Sequence, residues 1–191
     1  MAPRLILTGF MGTGKSSIAP IVARRLSWTL IDSDNILVAR AGKSIAAIFE
    51  DDGEAEFRRL EREVIATLSS ELPHCAQSGN PRPAVIATGG GVLVDEINYR
   101  ALNRFGVIIC LSARPEVIAR RVERSRTRRP MLLEGGKPLN ERIAELLAQR
   151  RDVYARAEAT IDTSDLTVEQ AAERVIAAFI EHGARRCAAS A

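Results

Sequence analysis

Short apolar runs recur along the chain and are separated by longer amphipathic stretches, a pattern that predicts alternating strands and helices. Leu5-Ile6-Leu7 reads as a strand ending at Thr8, followed by a glycine loop and a helix from about Lys15 to Leu26. Thr29-Leu30-Ile31 is a second strand, which delivers Asp32 and Asp34 at its C-terminal end. Helical segments follow over Ser33–Arg40, Ile45–Glu50 and Glu54–Ser70. Leu72–Pro83 holds three prolines and a glycine and reads as a surface loop. Ala84–Thr88 is a third strand, running straight into Gly89-Gly90-Gly91. A helix near Asp95–Arg104 precedes the strand Val107–Leu111, and another helix begins near Arg114. A long helix is expected from about Asn140 to Ala157, then a short strand Thr160-Ile161-Asp162. The last helix starts near Thr167, where Thr167-x-x-Gln170 has the form of a capping box. This alternation predicts an α/β domain with a parallel sheet.

With 191 residues the chain fits one domain, with room for a flap or lid. Apolar residues make up 46% and charged residues 27%, ordinary for a globular protein, while 4% aromatics argue against a stacking surface for nucleic acid. No apolar run approaches the ~18 residues of a membrane span. Met1-Ala2-Pro3-Arg4 enters a strand at once, so the expectation is a cytoplasmic protein without a signal peptide. The net charge is only +3, but its distribution is uneven. Seven arginines fall between Arg114 and Arg129, opposed only by Glu116 and Glu123. A solvated helix face is one reading; a clamp for phosphates is the other, because guanidinium forks match phosphate oxygens. Cys75, Cys110 and Cys187 form no CxxC and no ligand cluster, and Cys110 lies in an apolar run that suits the core.

Residues 9–16, Gly9-Phe-Met-Gly-Thr-Gly14-Lys15-Ser16, fit GxxxxGK[ST] at every position, between a strand and a helix. Small residues let backbone N–H groups turn inward around the β- and γ-phosphates, and the helix aims its positive end there. Lys15 can reach the outer phosphates and the Ser16 hydroxyl can ligate Mg²⁺. The motif specifies a magnesium nucleotide. The absence of NKxD and of DxxG after the third strand counts against a GTPase, and nothing in the length allows for a motor's partner-binding extension.

Four further pieces carry a resemblance to the shikimate kinase family, from the first strand to about Asp162. They are Asp32-Ser-Asp34; Ile45-x-x-Ile48-Phe49 leading to Gly53-Glu54-x-x-Phe57-Arg58-x-x-Glu61; Thr88-Gly-Gly-Gly91; and Arg129-Pro130-Met131-Leu132 with Arg150-x-x-x-Tyr154. The resemblance implies a P-loop NTPase three-layer fold, a five-stranded parallel sheet flanked by helices. It also implies a substrate-binding subdomain at about 33–62, a mobile lid at about 124–137 and a tail at 184–191 without a counterpart, expected to be disordered. The reaction implied is transfer of the ATP γ-phosphoryl group to the 3-hydroxyl of shikimate, with Mg²⁺, by a cytoplasmic monomer that binds neither nucleic acid nor membrane. A gluconate kinase is one alternative, though it has no need of two arginines facing a ring carboxylate. A non-catalytic nucleotide-binding domain is another, though it should have lost Lys15, Asp34 or the lid arginine.

Carried onto this sequence, the family's pattern assigns Gly12, Thr13, Gly14, Lys15, Ser16, Ser17 and Arg129 to the nucleotide, and Ser16 with Asp32 to the metal. Asp34, Arg58, Gly90 and Arg150 go to the acceptor, and Lys15, Asp34 and Arg129 to catalysis. The chemistry agrees. Shikimate is a carboxylate bearing hydroxyls, so it calls for arginines at one end and a hydrogen-bond acceptor at the other. Helix capping competes for Asp32 and Asp34, and ordinary pairing with Glu54 or Glu61 competes for Arg58. Arg121 and Arg124 both suit the arginine that stacks on adenine. Two departures stand out: Asp152 replaces the family's proline in Arg-x-Pro-x-Tyr, and the loop 72–83 is longer than a compact member needs.

Overall fold

The computed structural model describes residues 4–71, 83–124 and 138–189. The elements run β1 (Arg4–Gly9), α1 (Lys15–Leu26), β2 (Thr29–Asp32), α2 (Ser33–Ala41), α3 (Ile45–Asp51) and α4 (Gly53–Glu71). After β3 (Ala84–Ala87) a 3₁₀ turn at Val92–Val94 leads to α5 (Glu96–Phe105), β4 (Val107–Ser112) and α6 (Pro115–Glu123). The chain continues through α7 (Leu139–Gln149), α8 (Arg151–Tyr154), β5 (Ala159–Asp162) and α9 (Val168–Ala189).

The five strands form one sheet in the order β2-β3-β1-β4-β5, parallel throughout. Alternation along β1 divides the core. Leu5 and Leu7 face a layer with Val22 of α1 and Val175 of α9, while Ile6 faces a layer with Leu37, Ile65 and Leu102 from α2, α4 and α5. Both sheet faces are therefore covered, which is why the strands read as nearly continuous apolar runs. A third cluster joins Phe10, Ile118 of α6 and Ile143 of α7 beside the glycine loop. Because β1 has β3 on one side and β4 on the other, the connections diverge at its carboxyl end, where such sheets open a crevice. Cys110 is buried in β4, and burial pushes its thiol up to about 12, as suits a core residue.

Two expectations from the sequence need correction. The helix expected from 140 to 157 is broken at Arg150 (φ −103°, ψ 3°), without a proline. At the break the Arg150 N–H turns to the Leu147 carbonyl, three residues back, at 3.2 Å, and the helix resumes for one turn before Glu158 bonds β4 through the Ile108 carbonyl at 2.9 Å and the Ile108 N–H at 2.8 Å. The tail expected to be disordered from 184 is helical to Ala189. Alanine and arginine are good helix formers, and an Arg185–Glu181 pair at 2.7 Å spans one turn across Gly183. Residues 125–137 of the lid expected at about 124–137, with Arg129, and residues 72–82 of the loop expected at 72–83, lie outside the described residues.

Candidate active site

A cleft of about 1030 Å³ opens at the carboxyl end of the sheet. Its donor end is the glycine loop between β1 and α1. The Thr13 hydroxyl donates to the Phe10 carbonyl at 2.7 Å, and Lys15 Nζ donates to the Gly9 and Phe10 carbonyls at 2.6 and 3.0 Å. The loop thus folds its lysine back over itself, with Gly12, Gly14, Ser16 and Ser17 all lining the cleft. A polar brace holds the loop from outside. Thr163 Oγ1, just beyond β5, bonds the Thr13 carbonyl at 2.9 Å and the Ser112 carbonyl at 3.1 Å. Arg121 of α6 donates to the Gly12 and Thr13 carbonyls at 3.3 and 3.4 Å and to the Thr163 hydroxyl and carbonyl at 2.9 and 2.7 Å.

That brace separates Arg121 from its neighbours. Arg121 lines the cleft, whereas Arg120 and Arg124 are exposed and Arg114 pairs at 2.7 Å with Asp165. The solvated-face reading therefore holds for Arg114, Arg120 and Arg124. Thr163 was invisible to sequence reasoning, because a threonine after a short strand carries no signal of what it will touch.

At the acceptor end, four segments converge. Asp34 sits in the first turn of α2, and its neighbour Asp32 is the cap, Oδ1 accepting from the Asp34 and Asn35 N–H groups at 2.9 and 3.3 Å. Capping is thus realised by Asp32 and leaves the Asp34 carboxylate to the cleft. A Cβ added at Gly89 would lie 2.9 Å from Asp34 Oδ1 and 3.2 Å from Glu61 Oε1, so both carboxylates point at one glycine. At Gly91 a Cβ would stand 2.7 Å from Arg58 Nη1. The glycines leave room for these charged side-chain ends, which would have to shift to admit a Cβ.

Burial raises the Asp34 carboxyl above the ordinary range, with the Asp32 charge adding and Lys15 opposing. Glu61, only 3% exposed, is also raised by burial, while Arg58 opposes and Asp34 adds. Glu61 Oε2 accepts from Arg58 Nη1 at 2.8 Å, and among the described residues Glu61 Oε1 has no hydrogen-bond partner. Arg58 also bonds the exposed Glu54 at 3.1 Å, so both of the pairings foreseen from sequence occur together. Burial pulls the Arg58 guanidinium down, and its two glutamates more than offset that. Arg150, buried at the α7–α8 break, donates to the Gly90 carbonyl at 3.3 Å and lies 5.6 Å from the Phe10 ring. Phe49 and Phe57 stack at 4.7 Å as wall beside Arg58. Every acceptor residue inferred from sequence thus lines this cleft, and so does every inferred donor residue among the described ones.

Among the described residues no three His, Cys, Asp or Glu side chains gather as a metal site, and no helix is long and apolar enough to cross a membrane. The donor set fits Mg²⁺ nonetheless. That ion keeps several waters and takes phosphate oxygens, so it needs few protein donors, and the Ser16 hydroxyl that lines the cleft is of the right kind.

Comparison with known proteins agrees with this geometry. The shikimate kinase family profile matches residues 11–180. A shikimate kinase of Caldanaerobacter subterraneus subsp. tengcongensis is 42% identical over 177 residues, covering 93% of this chain and 96% of that one. The structure of shikimate kinase from Acinetobacter baumannii in complex with shikimate superposes with a TM-score of 0.82 at 27% identity, over 95% of each chain. That from Aquifex aeolicus gives 0.75 at 31% identity, over 95% of this chain and 98% of the other. With a matching profile over most of its length, a parallel five-stranded sheet and a phosphate loop facing paired arginines, this chain belongs to the shikimate kinase family.

Proposed function

We propose that, in the shikimate kinase reaction of this chain, Gly12 to Ser17 hold the ATP phosphates and Asp34, Arg58, Gly90 and Arg150 hold shikimate. The observation that carries this reading is the convergence of one carboxylate and two arginines, from α2, α4 and the α7–α8 break, on the cleft that the phosphate loop opens. The substrate carboxylate would sit between Arg58 and Arg150. Glu54 is 59% exposed as Arg58's outer partner and can yield to it, whereas Glu61, whose side chain is 4% exposed, keeps the guanidinium aimed. Asp34 accepts the hydrogen bond of the 3-hydroxyl. As the new P–O bond forms and the bond to ADP breaks, the hydroxyl proton passes to Asp34 and on to solvent. The transition state is loose, so orientation is the larger part of its contribution, and its raised affinity for a proton suits it to the remainder.

Lys15 draws charge from the transferring phosphoryl group. Arg129, outside the described residues, is the candidate for a second cation over it. Arg121, lining the cleft near Leu166 and Val168, is the candidate for the adenine. Ser16 and Asp32 are the residues that would hold Mg²⁺, which would supply neutralisation of the phosphate charge. One chain supplies both ends of the cleft, which supports a monomeric enzyme, and dependence on ATP goes with a cytoplasmic location.

A coupled ADP-release assay across shikimate, gluconate and nucleoside monophosphates tests this reading. Turnover should be confined to shikimate; turnover with gluconate in its place would overturn it.

A further inference from the structure

Tyr154 carries a hydroxyl that the chemistry above leaves unused. It donates to the Gly90 carbonyl at 2.6 Å, the same oxygen that Arg150 approaches at 3.3 Å. The two side chains share a face because they are four residues apart on one helical turn, the Tyr154 N–H donating to the Arg150 carbonyl at 3.0 Å. Burial, with Arg150 opposing, pushes the phenol up to about 12, so it keeps its proton and stays a donor through any working pH.

The other bonds of this run flank the acceptor. The Gly89 N–H donates to the Ser33 hydroxyl at 3.3 Å, and the Gly89 and Gly91 carbonyls accept from the Val92 and Val94 N–H groups at 3.3 and 3.0 Å. The Gly90 carbonyl is held from α8 and the α7–α8 break. Gly89, Gly90 and Gly91 have no side chains to pack, and a run of glycines has the largest backbone freedom to lose. A peptide plane sends a carbonyl and the following N–H in opposite directions. Two donors on the Gly90 oxygen therefore fix that plane and send the Gly91 N–H away from α8. Among the described residues this N–H has no partner, and Gly91 lies against Arg58.

We infer that Tyr154 is a positioning residue for shikimate: its hydroxyl locks the Gly90–Gly91 peptide so that the glycine run presents its N–H donors to the acceptor end of the cleft. The inference rests on the acceptor-end reading above and adds to it a residue that touches no substrate. Tyr154 also joins the glycine run to the turn that carries Arg150, so one bond registers two parts of the site.

The test is Tyr154→Phe, which keeps the ring and removes the hydroxyl, with Arg58→Ala measured beside it. Losing one well-made hydrogen bond to the backbone should raise KM for shikimate about tenfold. The KM for ATP and the thermal midpoint should stay at the wild-type values, and kcat should change less than KM for shikimate. In ¹H–¹⁵N spectra the Gly91 amide should shift and exchange faster. An unchanged KM for shikimate with an unmoved Gly91 amide overturns the inference. So does a parallel rise in both KM values with a lower thermal midpoint, because the hydroxyl would then serve the fold at large. Arg58→Ala separates the levels: if it raises KM for shikimate and Tyr154→Phe does not, only the Tyr154 inference fails. If Arg58→Ala leaves that KM unmoved, the acceptor-end reading falls and takes the inference with it.

Discussion

At the donor end of the cleft a single run, Met11 to Ser17, makes up the lining, and in the proposed reading it would hold phosphate mostly through backbone N–H groups and one lysine. At the acceptor end Asp34, Arg58, Glu61, Gly90, Arg150 and Tyr154 come from separate segments and meet through side-chain charges. The energetics differ accordingly. Backbone dipoles are fixed by the fold and cost nothing extra to bury when the helix already needs them. Asp34 and Glu61 are carboxylates held out of water, and each resists ionisation there. Burying those two carboxylates costs stability at neutral pH, in exchange for a polar, preorganised pocket.

Asp34→Asn should show the contrast most strongly, with kcat falling about 100-fold and the affinity for ATP nearly unchanged. The same substitution should raise the thermal midpoint, and the sign follows from the titration. The folded state holds the Asp34 proton to higher pH than the unfolded chain does. Stability therefore falls as pH rises from the ordinary carboxylate range through the raised native value, and the cost is complete above it. Thermal unfolding should find the variant ahead of wild type at pH 8 and level with it near pH 4. Wild-type turnover in Asp34→Asn would sink the catalytic assignment.

Arg58→Ala comes next, with KM for shikimate rising about 10- to 100-fold through loss of charge-assisted bonds. It should also lower the thermal midpoint, because Glu61 would be left buried without its cation. Steady-state kinetics should place the whole effect on shikimate and none on ATP. The smallest effect belongs to the donor end. Thr163→Val removes one strap on the loop, since Thr163 Oγ1 bonds the Thr13 carbonyl at 2.9 Å. It should raise KM for ATP about fivefold and leave KM for shikimate alone. A shift in the shikimate KM instead would erase the distinction between the two ends.

The contrast also accounts for what could be read from the chain. The β1–loop–α1 unit was legible because its geometry is local: strand, glycines and helix follow one another, and no distant residue is needed to make the nest. Asp32 and Asp34 could not be told apart as cap and free carboxylate, because either spacing suits an N-cap; only the path of the chain from β2 into α2 chose Asp32. The seven-arginine stretch could not be sorted either. Arg121 differs from Arg120 and Arg124 only by the face of α6 it occupies, and that face was set by packing of Val117 and Ile118 into the core. The break at Arg150 went unread for the same kind of reason. Helix propensity runs on through 157, and only the tertiary setting, in which Arg150 is buried and donates to the Gly90 carbonyl, carries the interruption.

By itself, then, the sequence determined a parallel α/β domain with a glycine loop of the phosphate-binding pattern and, through family resemblance, named the side chains proposed for the acceptor. Those features depend on periodicity and on contiguous motifs, which survive being read in one dimension. The tertiary structure decided which aspartate caps and which faces the cleft, which arginine braces the loop, and that Thr163 and Tyr154 hold the two ends in place. Those outcomes depend on which faces of separate elements meet when the sheet closes its crevice, and no spacing along the chain encodes them.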